Sequence, residues 1–440
     1  MSSVDLLQQL IRLDTTNPPG AEQPAAELVR ARMLDAGMKA DIYTSPEGRA
    51  NVVARIDGPT DRPALVLLSH LDVVGVEADA WSKDPFGGDI SDGWLWGRGS
   101  LDMKGIAAMH IEAAATLAAG HATPSREVIV VCVADEEAGG GQGAGWLAKE
   151  HPETLGFATG RPAPEALGEG AFGLSEVLPQ PLMPIVVGEK SVLWLDLEAS
   201  GDPGHGALPP KNQAPLNLAR AIAAVSGYGT ARVHPVMREQ FDALSARLPQ
   251  PMAAAFKILA SAAGPVAVRA AADVFRSRGA IGALLSDSIA ATQIEAGYKH
   301  NVVPGEARAS LDCRLLPDTD PDEFTASIRR RVRRHSTEVR EVARHGGPVS
   351  APGPLYEILK SVSGHLPGDP ICAPSLTSGM TDLRFLRQLG AFAYGWVPLT
   401  LTPELLGTIH GHDERISIAD LEIATEAMTT VVRRAAADEN

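Results

Sequence analysis

The stretch Ala64-Leu65-Val66-Leu67-Leu68-Ser69-His70-Leu71-Asp72 sets the reading of this 440-residue chain. Five apolar residues in a row, closed by polar ones, match a buried strand of a parallel sheet. In open sheets of that kind, ligands collect beyond the carboxyl ends of the strands. His70 and Asp72 stand at i and i+2, so an extended backbone projects both to one side. An imidazole and a carboxylate thus arrive together where a site is expected. That pairing suits a metal ion, with the carboxylate orienting the ring. A polar strand exit with a capping aspartate fits the same residues.

On either side of this strand the pattern is α/β. Residues 4–13 and 22–37 have helical periodicity, broken between them by Asn17-Pro18-Pro19-Gly20. Residues 51–57 and 64–69 read as strands. Residues 104–119 form an Ala-rich helix that stops at Gly120. Glu127 to Ala134 (EVIVVCVA) is a second buried strand. Strand, helix and strand at this spacing predict a βαβ unit and a mostly parallel sheet flanked by helices. After about Gly188 the pattern changes. Residues 191–200 alternate, 214–226 and 322–334 read as helices, and 291–296, 306–315 and 337–343 as strands. That order predicts a small α+β domain of ferredoxin-like type, with an extra helical stretch at about 234–285. From Gly353 the α/β pattern resumes and ends in a helix over 418–435. The expected organisation is a discontinuous catalytic domain, 1–189 and 350–440, interrupted by a lid or dimerisation domain, 190–349.

Composition narrows the function classes. The net charge of −15 argues against nucleic-acid binding, which needs phosphate neutralisation. Arg329-Arg330-Arg331-Val332-Arg333-Arg334 reads as a solvated helix face. Three cysteines, Cys132, Cys313 and Cys372, are too few and too scattered for a disulfide framework. The N-terminus carries no secretory pattern, and no run approaches the roughly 18 apolar residues that would span a membrane. A cytoplasmic protein with no membrane contact is expected.

Four further places offer metal-compatible side chains. Asp102 stands at a loop-to-helix junction, where it would also serve as an N-cap. Asp135-Glu136-Glu137 ends the second buried strand; three adjacent carboxylates repel one another unless a cation compensates. Glu169 lies in Leu167-Gly168-Glu169-Gly170-Ala171, with Glu165 and Glu176 as competitors. His410 precedes the last helix. Such N/O donors suit zinc, and also cobalt or manganese. Two metals side by side need a bridging carboxylate, with another acid left free to carry the proton. Adjacent Glu136 and Glu137 divide those duties if they point apart, as neighbours at a strand end do.

These segments, read as SHLDVV, WGRGSLDMKG, DEEAGG, YKHNVVP, SGMTD and IHGHDE, resemble the aminoacylase and carboxypeptidase family of dinuclear zinc peptidases. That family includes glutamate carboxypeptidase, acetylornithine deacetylase and succinyl-diaminopimelate desuccinylase. The LGEGA segment is closer to its carboxypeptidase S and N-acyl amino acid hydrolase branch. The resemblance implies two zinc ions. Asp102 would bridge them, with His70 and Glu169 on one and Glu137 and His410 on the other. It makes Glu136 the general base, sets Asp72 behind His70, and implies a cis Asp102–Met103 peptide. In the lid, His205 resembles the histidine that stabilises the oxyanion, often from a partner subunit. Asn301 and Arg314 resemble substrate contacts, and Ser378, Gly379 and Thr381 a loop lining a carboxylate pocket. A homodimer is compatible with the family.

His412, His110, His300, Trp94 and Trp96 are read as neighbours or packing residues. No Gly-x-Ser-x-Gly elbow supports a serine hydrolase. The expected function is hydrolysis of an amide next to a free carboxylate, in an N-acyl amino acid or a short peptide. The alternative is a metal- or ligand-binding homologue without catalysis, against which Glu136 stands.

Overall fold

The computed structural model describes residues 2–437 except 121–122, 177, 228, 230, 262 and 276–281. Part of the helical stretch expected at 234–285 thus lies outside the described residues. The chain divides into two compact units. One comprises Met1–Val187, Val349–Ser375 and Thr381–Asn440; the other comprises Gly188–Pro348 and Leu376–Met380.

The first unit is built on an eight-stranded sheet. Its spatial order is Lys39–Thr44, Ala50–Ile56, Val128–Val133, Leu65–His70, Glu165–Leu174, Phe392–Leu401, Leu182–Glu189 and Ile371–Thr377. The four central strands, from Val128–Val133 to Phe392–Leu401, run parallel, and antiparallel strands flank them. All six residues of Leu65–His70 and of Val128–Val133 are buried, which explains their unbroken apolar runs. The helix between these strands, Lys104–Ala119, has Lys104 through Ala115 buried. A helix covered all round can afford Ala and Ile but few charges. It packs with Ser3–Ile11 and Ile418–Ala435 on one face of the sheet. The other face buries Val66, Leu68, Val131 and Val133 beneath Leu147, Leu383 and Leu386.

Two strands of this sheet depart from the unbroken apolar run. Glu165–Leu174 and Phe392–Leu401 pair in parallel with Gly168 opposite Gly395. A Cβ on Gly170 would lie 2.7 Å from the Gly395 Cα, so these backbones close to a distance that side chains forbid.

The second unit contains a four-stranded antiparallel sheet in the order Ser288–Ala296, Glu306–Leu315, Ser191–Ser200, Thr337–His345. Helices Ala214–Val225 and Pro321–Val332 cover one face, over a core of Leu193, Leu195, Leu197, Leu311, Leu218 and Ile328. The alternation in Ser191–Ser200 follows from this one-sided burial. Helices Met237–Arg247, Met252–Ala260 and Pro265–Asp273 form the described part of the helical stretch, joined by a buried Phe241–Phe256–Phe275 stack. Among the described residues no helix is long and apolar enough to cross a membrane.

Candidate metal centre

Two strands of the parallel sheet and three connecting segments bring five side chains from distant parts of the sequence together. Ligand atoms of His70, Asp102 and Glu169 lie within 4.8 Å of one another, and so do those of Asp102, Glu137 and His410. Asp102 belongs to both groups. Its Oδ1 is 3.3 Å from His70 Nε2, and its Oδ2 is 3.1 Å from His410 Nε2. Glu169 Oε2 stands 3.8 Å from His70 Nε2, and Glu137 Oε2 3.3 Å from His410 Nε2.

Each position has a local cause. His70 is the last residue of its strand, and its Nδ1 donates to the Asp72 carbonyl at 2.9 Å, which turns Nε2 toward Asp102. Asp72 caps no element next to it in sequence; it closes the start of the distant 3-10 turn Glu136–Ala138. Its carboxylate accepts from the Glu136 amide at 3.2 Å, the Glu137 amide at 3.1 Å and Asn17 Nδ2 at 2.8 Å. Asp102 is no cap either: the helix cap is Met103, and the Asp102–Met103 peptide is cis.

Glu136 and Glu137 were expected to diverge as strand neighbours. They occupy a short 3-10 turn instead, entered through Asp135 in the left-handed region at φ 73°. Asp135 is held there by Arg49 Nη1 at 3.0 Å, Asn17 Nδ2 at 3.3 Å and the Gln142 amide at 2.9 Å. Arg49 in turn pairs with Glu22. One of the three adjacent acids is therefore compensated by a cation of the chain itself. On the far side of this turn, Arg384 bridges the carbonyls of Gly139 and Thr381, each at 2.7 Å.

The loops of Asp102 and His410 are joined by a buried ion pair. Glu414 accepts from Arg98 Nη1 at 2.5 Å and from the amides of Gly99, Leu101 and Asp102 at 3.1, 2.7 and 3.1 Å. Arg98 Nη2 reaches the Gly411 carbonyl at 2.7 Å. Breaking such a pair leaves a buried charge alone and costs about 3–5 kcal/mol. An exposed pair such as Lys39–Asp57 contributes about 1 kcal/mol at most.

The electrostatics favour a cation. Burial would lower the His70 pKa, but bonds to Asp102 and Asp72 and the Glu169 charge outweigh it and hold the imidazole well above its usual value. Bonds to Asp102 and Glu137 raise His410 to about 10. Burial pushes Glu136 and Glu169 well above the carboxylate range. Glu137 Oε1 is buried with no hydrogen-bond partner among the described residues. These shifts all favour added positive charge at this place, and the imidazole and carboxylate donors suit zinc, cobalt or manganese.

The remaining expected residues belong to neither triad. In the second unit, exposed His205 pairs across a two-residue ladder with Val302, and Gly206 donates to the Asn301 carbonyl at 2.9 Å. Arg314 Nε and Nη2 are bonded to Asp312, both at 2.9 Å. Ser378 and Gly379 are exposed in that unit, whereas Thr381 is buried in the first. His110 packs fully buried against Ser69 Oγ at 2.8 Å.

The description "Peptidase family M20/M25/M40" matches residues 66–434. The aminoacylase-1 of Sus scrofa is 28% identical over 440 residues, covering 94% of this chain and 90% of that protein. The succinyl-diaminopimelate desuccinylase of Xanthomonas euvesicatoria pv. vesicatoria (strain 85-10) is 29% identical, covering 84% of each. The M20 family metallo-carboxypeptidase Sso-CP2 from Sulfolobus solfataricus shares the fold, with a TM-score of 0.73, 18% identity and coverage of 98% and 99%.

Proposed function

Because the chain belongs to peptidase family M20/M25/M40, we propose that it is a metal-dependent hydrolase. Its bond would be the amide next to a free carboxylate, in an N-acyl amino acid or a short peptide. The observation that carries this reading is Asp102, shared by two triads whose ligand atoms each fall within 4.8 Å. His70, Asp102 and Glu169 would hold one cation, and Asp102, Glu137 and His410 the other. The names of the aminoacylase and desuccinylase relatives support the substrate class.

Two zinc ions, or cobalt or manganese in their place, would supply an acidified water and a polarised carbonyl. Glu136 takes the proton as the water attacks and returns it to the leaving nitrogen. Burial already raises its proton affinity, the direction that a base near neutral pH requires. Asp72 fixes the turn of Glu136 and Glu137 by accepting both amides, and its carbonyl keeps the His70 Nε2 lone pair facing outward. His205 would stabilise the oxyanion. Asn301, Ser378, Gly379 and Thr381 would contact substrate. Arg314 would hold the substrate carboxylate in competition with Asp312. In this reading the second unit serves as lid and dimerisation domain, and the enzyme works in the cytoplasm.

The test is hydrolysis of a panel of N-acyl amino acids and dipeptides by zinc-loaded protein. Release of the free amino acid is expected from at least one of them. No turnover on any member would overturn the reading.

A further inference from the structure

We propose that the buried Arg98–Glu414 pair is a positioning device that sets how tightly the Asp102–Glu137–His410 triad holds its cation. The proposal rests on the dinuclear reading above and assigns a role to two residues outside either triad.

The two triads are supported by different means. His70 and Glu169 sit on strands of the central sheet. His410 sits in a loop, half-exposed, with φ at 59°, a left-handed backbone that a non-glycine residue adopts only where its surroundings enforce it. Three contacts do that enforcing. Arg98 Nη2 holds the Gly411 carbonyl, one residue beyond His410. The Asp413 carboxylate accepts from the Ser82 amide and hydroxyl, each at 2.7 Å. Glu414 closes the loop on Arg98, with 0% exposure.

Glu414 also determines where Asp102 stands, because it accepts the amides of Leu101 and Asp102. One carboxylate, 316 residues along the chain from its arginine, therefore fixes both the shared ligand and the histidine of the second triad. Donors that hold ligands in place in this way are worth about 10–100-fold in metal affinity. The first triad keeps its sheet-borne residues when the pair is lost. The effect should therefore concentrate on one of two bound cations.

The experiment is calorimetric zinc titration of the metal-free full-length protein, comparing wild type with Glu414→Gln, Arg98→Lys and His410→Ala. His410→Ala identifies the equivalent that belongs to the second triad. Glu414→Gln keeps the side-chain size but removes the charge facing Arg98. It should weaken that same equivalent about 10–100-fold and the other, which also uses Asp102, by clearly less. Arg98→Lys keeps a charge near Glu414 but loses the second arm to Gly411, so it should weaken the same equivalent by less. Melting curves of the metal-free proteins accompany the titrations. If Glu414→Gln does not fold, Arg98→Lys decides.

Two unchanged equivalents in every folded pair variant would overturn the proposal while leaving the dinuclear reading intact. Equal weakening of both equivalents would overturn it too, as general damage. A wild type that takes fewer than two equivalents would overturn the dinuclear reading and this proposal together.

Discussion

The two triads that meet at Asp102 are made in opposite ways. The His70 side grows out of strands of the central sheet; every residue of Leu65–His70 is buried, and the His70 side chain itself is 1% exposed. The His410 side is assembled from turns, and its histidine is 51% exposed. Sheet geometry fixes the first with no special device. The second needs left-handed residues, Asp135 and His410, each pinned by charged neighbours. Strand ends deliver a ligand as a by-product of the core; turns deliver one only through contacts dedicated to that end.

The comparison can be broken in several ways. The largest effect is expected at the acid that belongs to neither triad. Glu136→Gln should cut kcat about a thousandfold, or about 4 kcal/mol, with metal content by elemental analysis unchanged. Surviving turnover would remove Glu136 from its role. The next concerns stability without metal. His70→Ala exposes Asp72, Asp102 and Glu169 to one another in a buried place and should cost about 3 kcal/mol in denaturant unfolding. His410→Ala, at a half-exposed position, should cost under about 1 kcal/mol. Equal losses would mean that the two sides are not built differently.

An effect confined to acid pH lies beneath the buried side, at His110. Burial pushes its pKa down to about 3, so the folded protein keeps it neutral. The unfolded chain binds a proton there near pH 6.5. Stability from this group is therefore complete above pH 6.5 and is lost as pH falls toward 3. At pH 4.5 that loss is about 3 kcal/mol. His110→Gln should lose less stability than wild type between pH 7.5 and 4.5. Parallel losses would mean that His110 takes no part in acid sensitivity.

Much of this molecule was readable from its residues. Long apolar runs such as Leu65–Leu68 and Val128–Val133 announce buried parallel strands, and polar residues at their ends announce the site. Glu165–Leu174 and Phe392–Leu401 gave no such signal, because close backbone packing selects glycines that strand propensity disfavours. Glu169 could be singled out only by resemblance for that reason. The pinning residues were less legible still. Arg49 and Asp135 are 86 positions apart, and Arg98 and Glu414 316 apart, so no local pattern joins them. Asp102 looks like a cap in the sequence, yet the helix cap is Met103; Asp72 closes a turn 64 residues away, which no local pattern shows.

Asn17 hangs from the N-terminal segment, yet its amide holds Asp72 and Asp135 at once. Lys104, just past Asp102, grips the carbonyls of Leu10 and Leu13 on that same segment. The opening stretch of the chain is thus wired into the candidate metal centre rather than draped over it. A protease nick between residues 12 and 22 would register first as lost turnover, while the rest of the sheet stayed whole.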